Sequence, residues 1–111
     1  MKGHLEIKIG ETSIDCLFGM TSLLDFCTEK GIPFSDIAKV LSADNENMFQ
    51  DMYSVIYHAH VCYSDWNDVA PKFSRRKIQL LCDQGDIKAI FEGVVAAMCV
   101  GIENLVGEKK S

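Results

Sequence analysis

Between Met48 and Tyr63 the apolar residues Met48, Phe49, Met52, Val55, Ile56, Ala59, Cys62 and Tyr63 recur at spacings of three and four. At about 100° per residue they fall on one broad stripe of a helix. A helix of that length with one apolar side has to be covered by other elements, so it sets the frame for the rest of the chain. It is predicted to begin at Asp44 or Asn45 and to extend to about Tyr63. It also decides the meaning of "YHAHVCYSD", Tyr57 to Asp65, where His58, His60 and Cys62 stand at alternate positions. On a strand those side chains would share a face and read as a metal site. On a helix, positions two apart point about 160° from one another, so His58 and His60 cannot hold one ion. His58 and Cys62 are four apart, but zinc sites use three or four protein ligands and no third is identifiable nearby. The reading is two histidines flanking a core stripe, with no metal.

"HLEIKIGETSIDCLF" reads as a β-hairpin. Leu5, Ile7 and Ile9 alternate with Glu6 and Lys8, and Ile14, Cys16 and Phe18 alternate with Asp15 and Leu17, around a "GETS" turn. A two-stranded hairpin is marginal alone, so its apolar face must lie against helices. A helix from Met20 to Lys30 follows, with Met20, Leu23, Leu24 and Cys27 as its core stripe and Gly31 as its stop. Pro33 blocks continuation, and Ser35 is the predicted cap of a short helix that turns Ile37, Val40 and Leu41 inward. "SDWNDVAP" is a loop in which Asp68 takes a turn or capping role rather than that of a catalytic acid. Ser74 caps "RRKIQLLCD", which buries Ile78, Leu81 and Cys82, and Gly85 ends it. A final helix runs to Gly107, with "EKKS" as a charged tail. The predicted fold class is therefore α+β, mainly α. An N-terminal two-stranded hairpin packs on a bundle of about five helices, in one domain over residues 1–111.

Charged residues make up 24% of the chain and apolar ones 48%, a globular balance. No apolar run approaches the roughly 18 residues of a membrane span, and the N-terminal stretch has no signal-peptide core, which points to the cytoplasm. The five cysteines are scattered, odd in number and without C-x-x-C spacing, so buried reduced thiols are expected. The net charge is −5, and the one dense basic group is Lys72, Arg75, Arg76 and Lys77. Sequence-independent nucleic-acid binding relies on many phosphate contacts, and this balance argues against it. A solvated surface is the plain reading of the basic group. Yet a cap at Ser74 puts three cations in the first helical turn, where the macrodipole disfavours them. An acidic partner segment would relieve that conflict, which makes Arg75 and Arg76 candidate partner contacts.

In the last helix Ile87, Ile90, Phe91, Val94, Met98, Ile102 and Leu105 form a wide apolar face. Away from it stand Gly93, Ala96, Ala97 and Val100, where Lys and Glu would be ordinary. Small residues permit close backbone approach. Either the domain covers this helix on both sides, or the second face is a contact with a partner or another copy. There is no Gly-rich phosphate loop and no nucleophile elbow, and the three histidines share no context. The chain reads as a non-enzymatic interaction protein without a cofactor.

The order of elements and the junction "LFGMTSLLDFCTEKGI", Leu17 to Ile32, resemble the tail assembly chaperones of long-tailed phages. Those proteins similarly carry a strand, a Phe-Gly-hydrophobic junction as at Phe18-Gly19-Met20, and a helix ending in Lys-Gly as at Lys30-Gly31. Later comes a leucine-leucine, acidic, Gly, Asp break, matched by Leu80, Leu81, Asp83, Gly85 and Asp86. The aromatic-rich third helix with its Cys and His, and the basic group at Arg75, depart from the pattern. The likeness implies binding to the tape measure protein, which such chaperones keep soluble and extended until tail-tube subunits polymerise around it. It also implies a homo-oligomer in the host cytoplasm. The bottom-up rivals are a small helical ligand-binding or regulatory domain, with Met52, Met98 and Tyr63 lining a pocket, and a metal enzyme or hydrolase built on His58, Cys62 and Asp65.

Overall fold

The computed structural model of the chain describes residues 3–42 and 44–106, with side chains described up to residue 100. Strands β1 (His4–Ile9) and β2 (Thr12–Leu17) pair antiparallel across a Gly10-Glu11 loop, with Ile7 opposite Ile14 and Leu5 opposite Cys16. The Phe18 N–H donates to the Gly3 carbonyl at 2.8 Å and extends the ladder by one step. Helices α1 (Met20–Lys30), α2 (Ile37–Val40), α3 (Met48–Trp66), α4 (Arg75–Asp83) and α5 (Ile87–Val106) follow. The architecture is the predicted α+β, mainly α, arrangement, with one hairpin and five α-helices among the described residues.

Alternation on the two strands turns Ile7, Ile9, Ile14 and Cys16 to the same side, and all four are buried with Phe18. That face lies on α3 beneath β2 and on α5 beneath β1. Phe18, Phe26, Leu23, Met52, Ile56, Ile78 and Met98 complete one continuous core. The Schellman-type stop at Gly31 is present. Its φ is +78°, and the N–H groups of Gly31 and Ile32 both reach the Cys27 carbonyl, at 2.9 and 3.0 Å. Ser74 caps α4 as predicted, its hydroxyl accepting from the Lys77 N–H at 3.1 Å. Gly85 is needed for space: a Cβ there would stand 3.0 Å from Ile90 Cδ1 and 3.3 Å from Ile9 Cγ1.

Several expectations are corrected. The buried stripe of α1 is Ser22, Leu23, Phe26 and Cys27, whereas Met20 and Leu24 are exposed. Phe26 outweighs Met20 because positions 22, 23, 26 and 27 bring the larger ring onto one stripe facing α3. Ser35 caps nothing: a 3-10 turn, Phe34–Asp36, leads into α2, which has no side-chain cap. Helix α3 starts at Met48 rather than Asp44 or Asn45 because Asn45 is used outside it, its Nδ2 donating to the Val40 carbonyl and the Asp51 carboxylate, both at 2.9 Å. Phe49 has the right helical phase but is 60% exposed, since it lies in the first turn beyond the reach of the hairpin and α1. Leu81 is only half-buried on α4. The cysteines divide: Cys16, Cys27 and Cys82 are buried, Cys62 is half-buried and Cys99 is exposed. Burial pushes the Cys82 thiol up to about 11 and raises Cys16 further. The side chains of Ile102 and Leu105, the stop at Gly107 and the charged tail lie outside the described side chains and residues.

Candidate partner-binding groove

The first turn of α3 and the first half of α5 are richer in apolar residues than the core covers, and Leu41 before α3 adds to them. Leu41, Met48, Phe49 and Met52 form one wall of a groove of about 700 Å³, and Ile87, Phe91, Val95 and Ala96 form the other, with Lys88 and Glu92 at the rim. The floor is held by aromatics. The Phe91 ring lies 5.5 Å from that of Phe49 and 5.8 Å, edge-on, from that of Tyr53. Tyr53 is fixed in turn, because its hydroxyl donates to Asp83 on α4 at 3.0 Å; burial, then that carboxylate, pushes it up to about 12. Beside the groove, Asp51 is buried against Lys30 Nζ at 3.0 Å and the Asn45 amide, which ties the 41–47 segment and the end of α1 to α3. The exposed carboxylates of Asp44 and Glu46 stand in that same segment.

The residues singled out in the sequence do not form one site. Ala96 lines the groove and is exposed. Val100, one turn on, is 49% exposed. Gly93 borders a separate cleft between α5 and β1, and Ala97 is half-buried against the core. Arg76 is exposed, but Arg75 is engaged within the chain. Its guanidinium hydrogen-bonds Glu29 on α1 and Ser54 on α3 (2.8 Å to the latter) and lies 4.5 Å from the centre of the Tyr57 ring. Glu29 also meets His58 Nε2 at 2.9 Å. Burial alone would raise Glu29, but the hydrogen bonds from Arg75 and His58 outweigh it and hold the carboxyl below its usual range. The acid that answers the misplaced cation of α4 is thus Glu29 of the same chain.

The histidines separate as helical geometry requires. His60 is buried, with Nδ1 2.8 Å from the Asp15 carbonyl and Nε2 3.2 Å from the Phe73 N–H. A carbonyl only accepts and an N–H only donates, so the ring is the Nδ1–H tautomer with both nitrogens used. His58 faces Glu29 on another side of α3. Of the residues offered for a ligand pocket, Met52 lines the groove, Met98 is fully buried, and Tyr63 stacks on His4 at the far end of α3. Asp68 adopts φ +56° in the turn after α3, its N–H bonded to the Asp65 carbonyl at 3.2 Å, which is a turn role.

Sequence reasoning missed Phe49, Phe91 and Val95 as surface. The available signal was an excess: two helices each presenting an apolar end, with no further apolar element in the sequence to cover both. Neither family models, curated proteins nor solved structures give a match to this chain. Among the described residues no helix is long and apolar enough to cross a membrane.

Proposed function

We propose that this protein is a non-enzymatic tail assembly chaperone that receives an amphipathic helix of the tape measure protein in the α3–α5 groove, within the host cytoplasm. The groove carries the reading. Its walls are apolar over eight residues, and among the described residues its ionisable groups are Lys88 and Glu92, an arrangement suited to apolar side chains rather than to chemistry. The carboxylates of Asp44 and Glu46 on the adjoining segment favour a helix with a basic flank, in keeping with the net charge of −5. The likeness in element order and in the Phe18-Gly19-Met20 junction supports the tape measure protein as that partner.

Phe49→Glu tests this directly, because a residue 60% exposed tolerates the change in the free protein. Co-expressed with the tape measure protein, the variant is expected to lose co-purification and to leave the partner insoluble, while its thermal midpoint stays within a few degrees of the parent. Undiminished co-purification would remove the groove from the proposal. The volume of about 700 Å³ also falls within the range of small-ligand sites. Saturable binding of a small apolar molecule that survives with the tape measure protein bound would favour the regulatory-domain reading instead.

A further inference from the structure

The β2 edge of the hairpin lies against α3, and the β1 edge borders a cleft beside α5. The Phe18–Gly3 bond identifies residues 3, 5, 7 and 9 as those whose backbone faces β2, so the N–H and C=O groups of His4, Glu6 and Lys8 face outward. On β2 the outward carbonyl of Asp15 is taken by His60. On β1, no partner for His4, Glu6 or Lys8 backbone groups occurs among the described residues. A cleft of about 190 Å³ runs along that edge, lined by Leu5, Glu6, Ile7 and Lys8 on one side and by Ala89, Ile90 and Gly93 on the other. Unpaired edges template the addition of another strand, and this one is six residues long without a proline or bulge.

We infer that the occupant is β1 of a second copy, paired antiparallel about a two-fold axis at Ile7. Within one copy Lys8 Nζ already stands 3.6 Å from Glu6 Oε1. In that register Glu6 lies opposite the other copy's Lys8, and Lys8 opposite its Glu6, so the opposite charges are shared across the seam and all four backbone groups find a partner. Shifting the pairing by two residues, with the axis at Glu6, would set Glu6 against Glu6. Shifting it by four would need His4, whose ring is already engaged by Asp15 at 3.1 Å and Tyr63. The same two-fold brings the α5 helices together along Ala89 and Gly93, four residues apart on the stripe that lines the cleft. A Cβ built at Gly93 meets nothing within 4 Å, which leaves room for close approach. The product is a four-stranded sheet over paired helices, and a two-stranded sheet is the kind of element that gains most from such completion.

The test is sedimentation mass of the full chain at micromolar concentrations. The parent is expected at twice the chain mass of 12.4 kDa. Lys8→Glu and Glu6→Lys, both at exposed positions, should each weaken self-association by roughly tenfold, because each sets like charges opposite one another twice. An equimolar mixture of the two variants restores both opposite-charge pairs in the heterodimer and should regain the parent's mass. Unchanged circular dichroism and thermal midpoints would exclude unfolding as the cause of the losses. A monomeric parent, single variants that associate as well as the parent, or a mixture no heavier than its components would each overturn the inference.

Discussion

Phe18 is the residue on which the hairpin depends. It follows the last residue of β2, is 1% exposed, and sits where the strand hands over to α1, so its ring contacts the core from the hairpin side. Its neighbour Gly19 is extended, at φ −166°, and a Cβ there would meet nothing, so the anchoring falls to the ring rather than to the glycine. Phe18→Ala is expected to destabilise by about 3–5 kcal/mol, read by urea unfolding at constant m-value. A loss below about 0.5 kcal/mol would mean that the ring is not part of the core. This anchor was legible from alternation alone. Phe49 was not: the periodicity that placed it on the stripe says nothing about where along the helix the covering elements stop.

Among the elements, α4 is held to the rest mainly by area, with charge as a smaller addition. Its apolar contacts are chiefly Ile78 and Cys82, and its first turn carries three cations against the macrodipole. Glu29 offsets this by drawing Arg75 across to α1, with Ser54 and Tyr57 of α3 completing the contact. Since the folded carboxyl is held below its usual value of 4.5, the unfolded chain takes up the proton first. The contribution is therefore fully present above the unfolded carboxylate range and is lost as pH falls through the lower folded value. Glu29 is 41% exposed, so solvent screening limits the contribution to about 0.5 kcal/mol. Glu29→Gln should be less stable by that amount at pH 7, and the two stability curves should converge once pH has fallen below the lowered folded value. Curves that stay parallel into acid would show that the carboxylate's charge contributes nothing. The cap and stops of these helices could be read from Ser74, Gly31 and Gly85. The Glu29–Arg75 contact could not, because it joins residues on different helices through the way those helices cross.

At the scale of the whole molecule, α5 divides the surface between the groove on one flank and the β1 edge on the other. The small residues that first marked α5 as a contact helix are therefore not equivalent. Ala96 opens into the groove, whereas Ala97 is half-buried against the core. A carboxylate at 96 remains in water in the free protein and costs only the small helix-propensity difference, a few tenths of a kcal/mol. When an apolar helix seats in the groove, that carboxylate is desolvated without a partner, which costs several kcal/mol. At 97 the desolvation is felt in the free chain. Ala96→Glu is thus expected to keep the parent's circular dichroism and thermal midpoint while losing the tape measure protein in co-purification. Ala97→Glu should lower the thermal midpoint by several degrees before any partner is added. Equal destabilisation by both would place Ala96 in the core and close the groove as a binding surface. Stable, partner-competent Ala96→Glu would leave the groove's apolar walls without the role assigned to them.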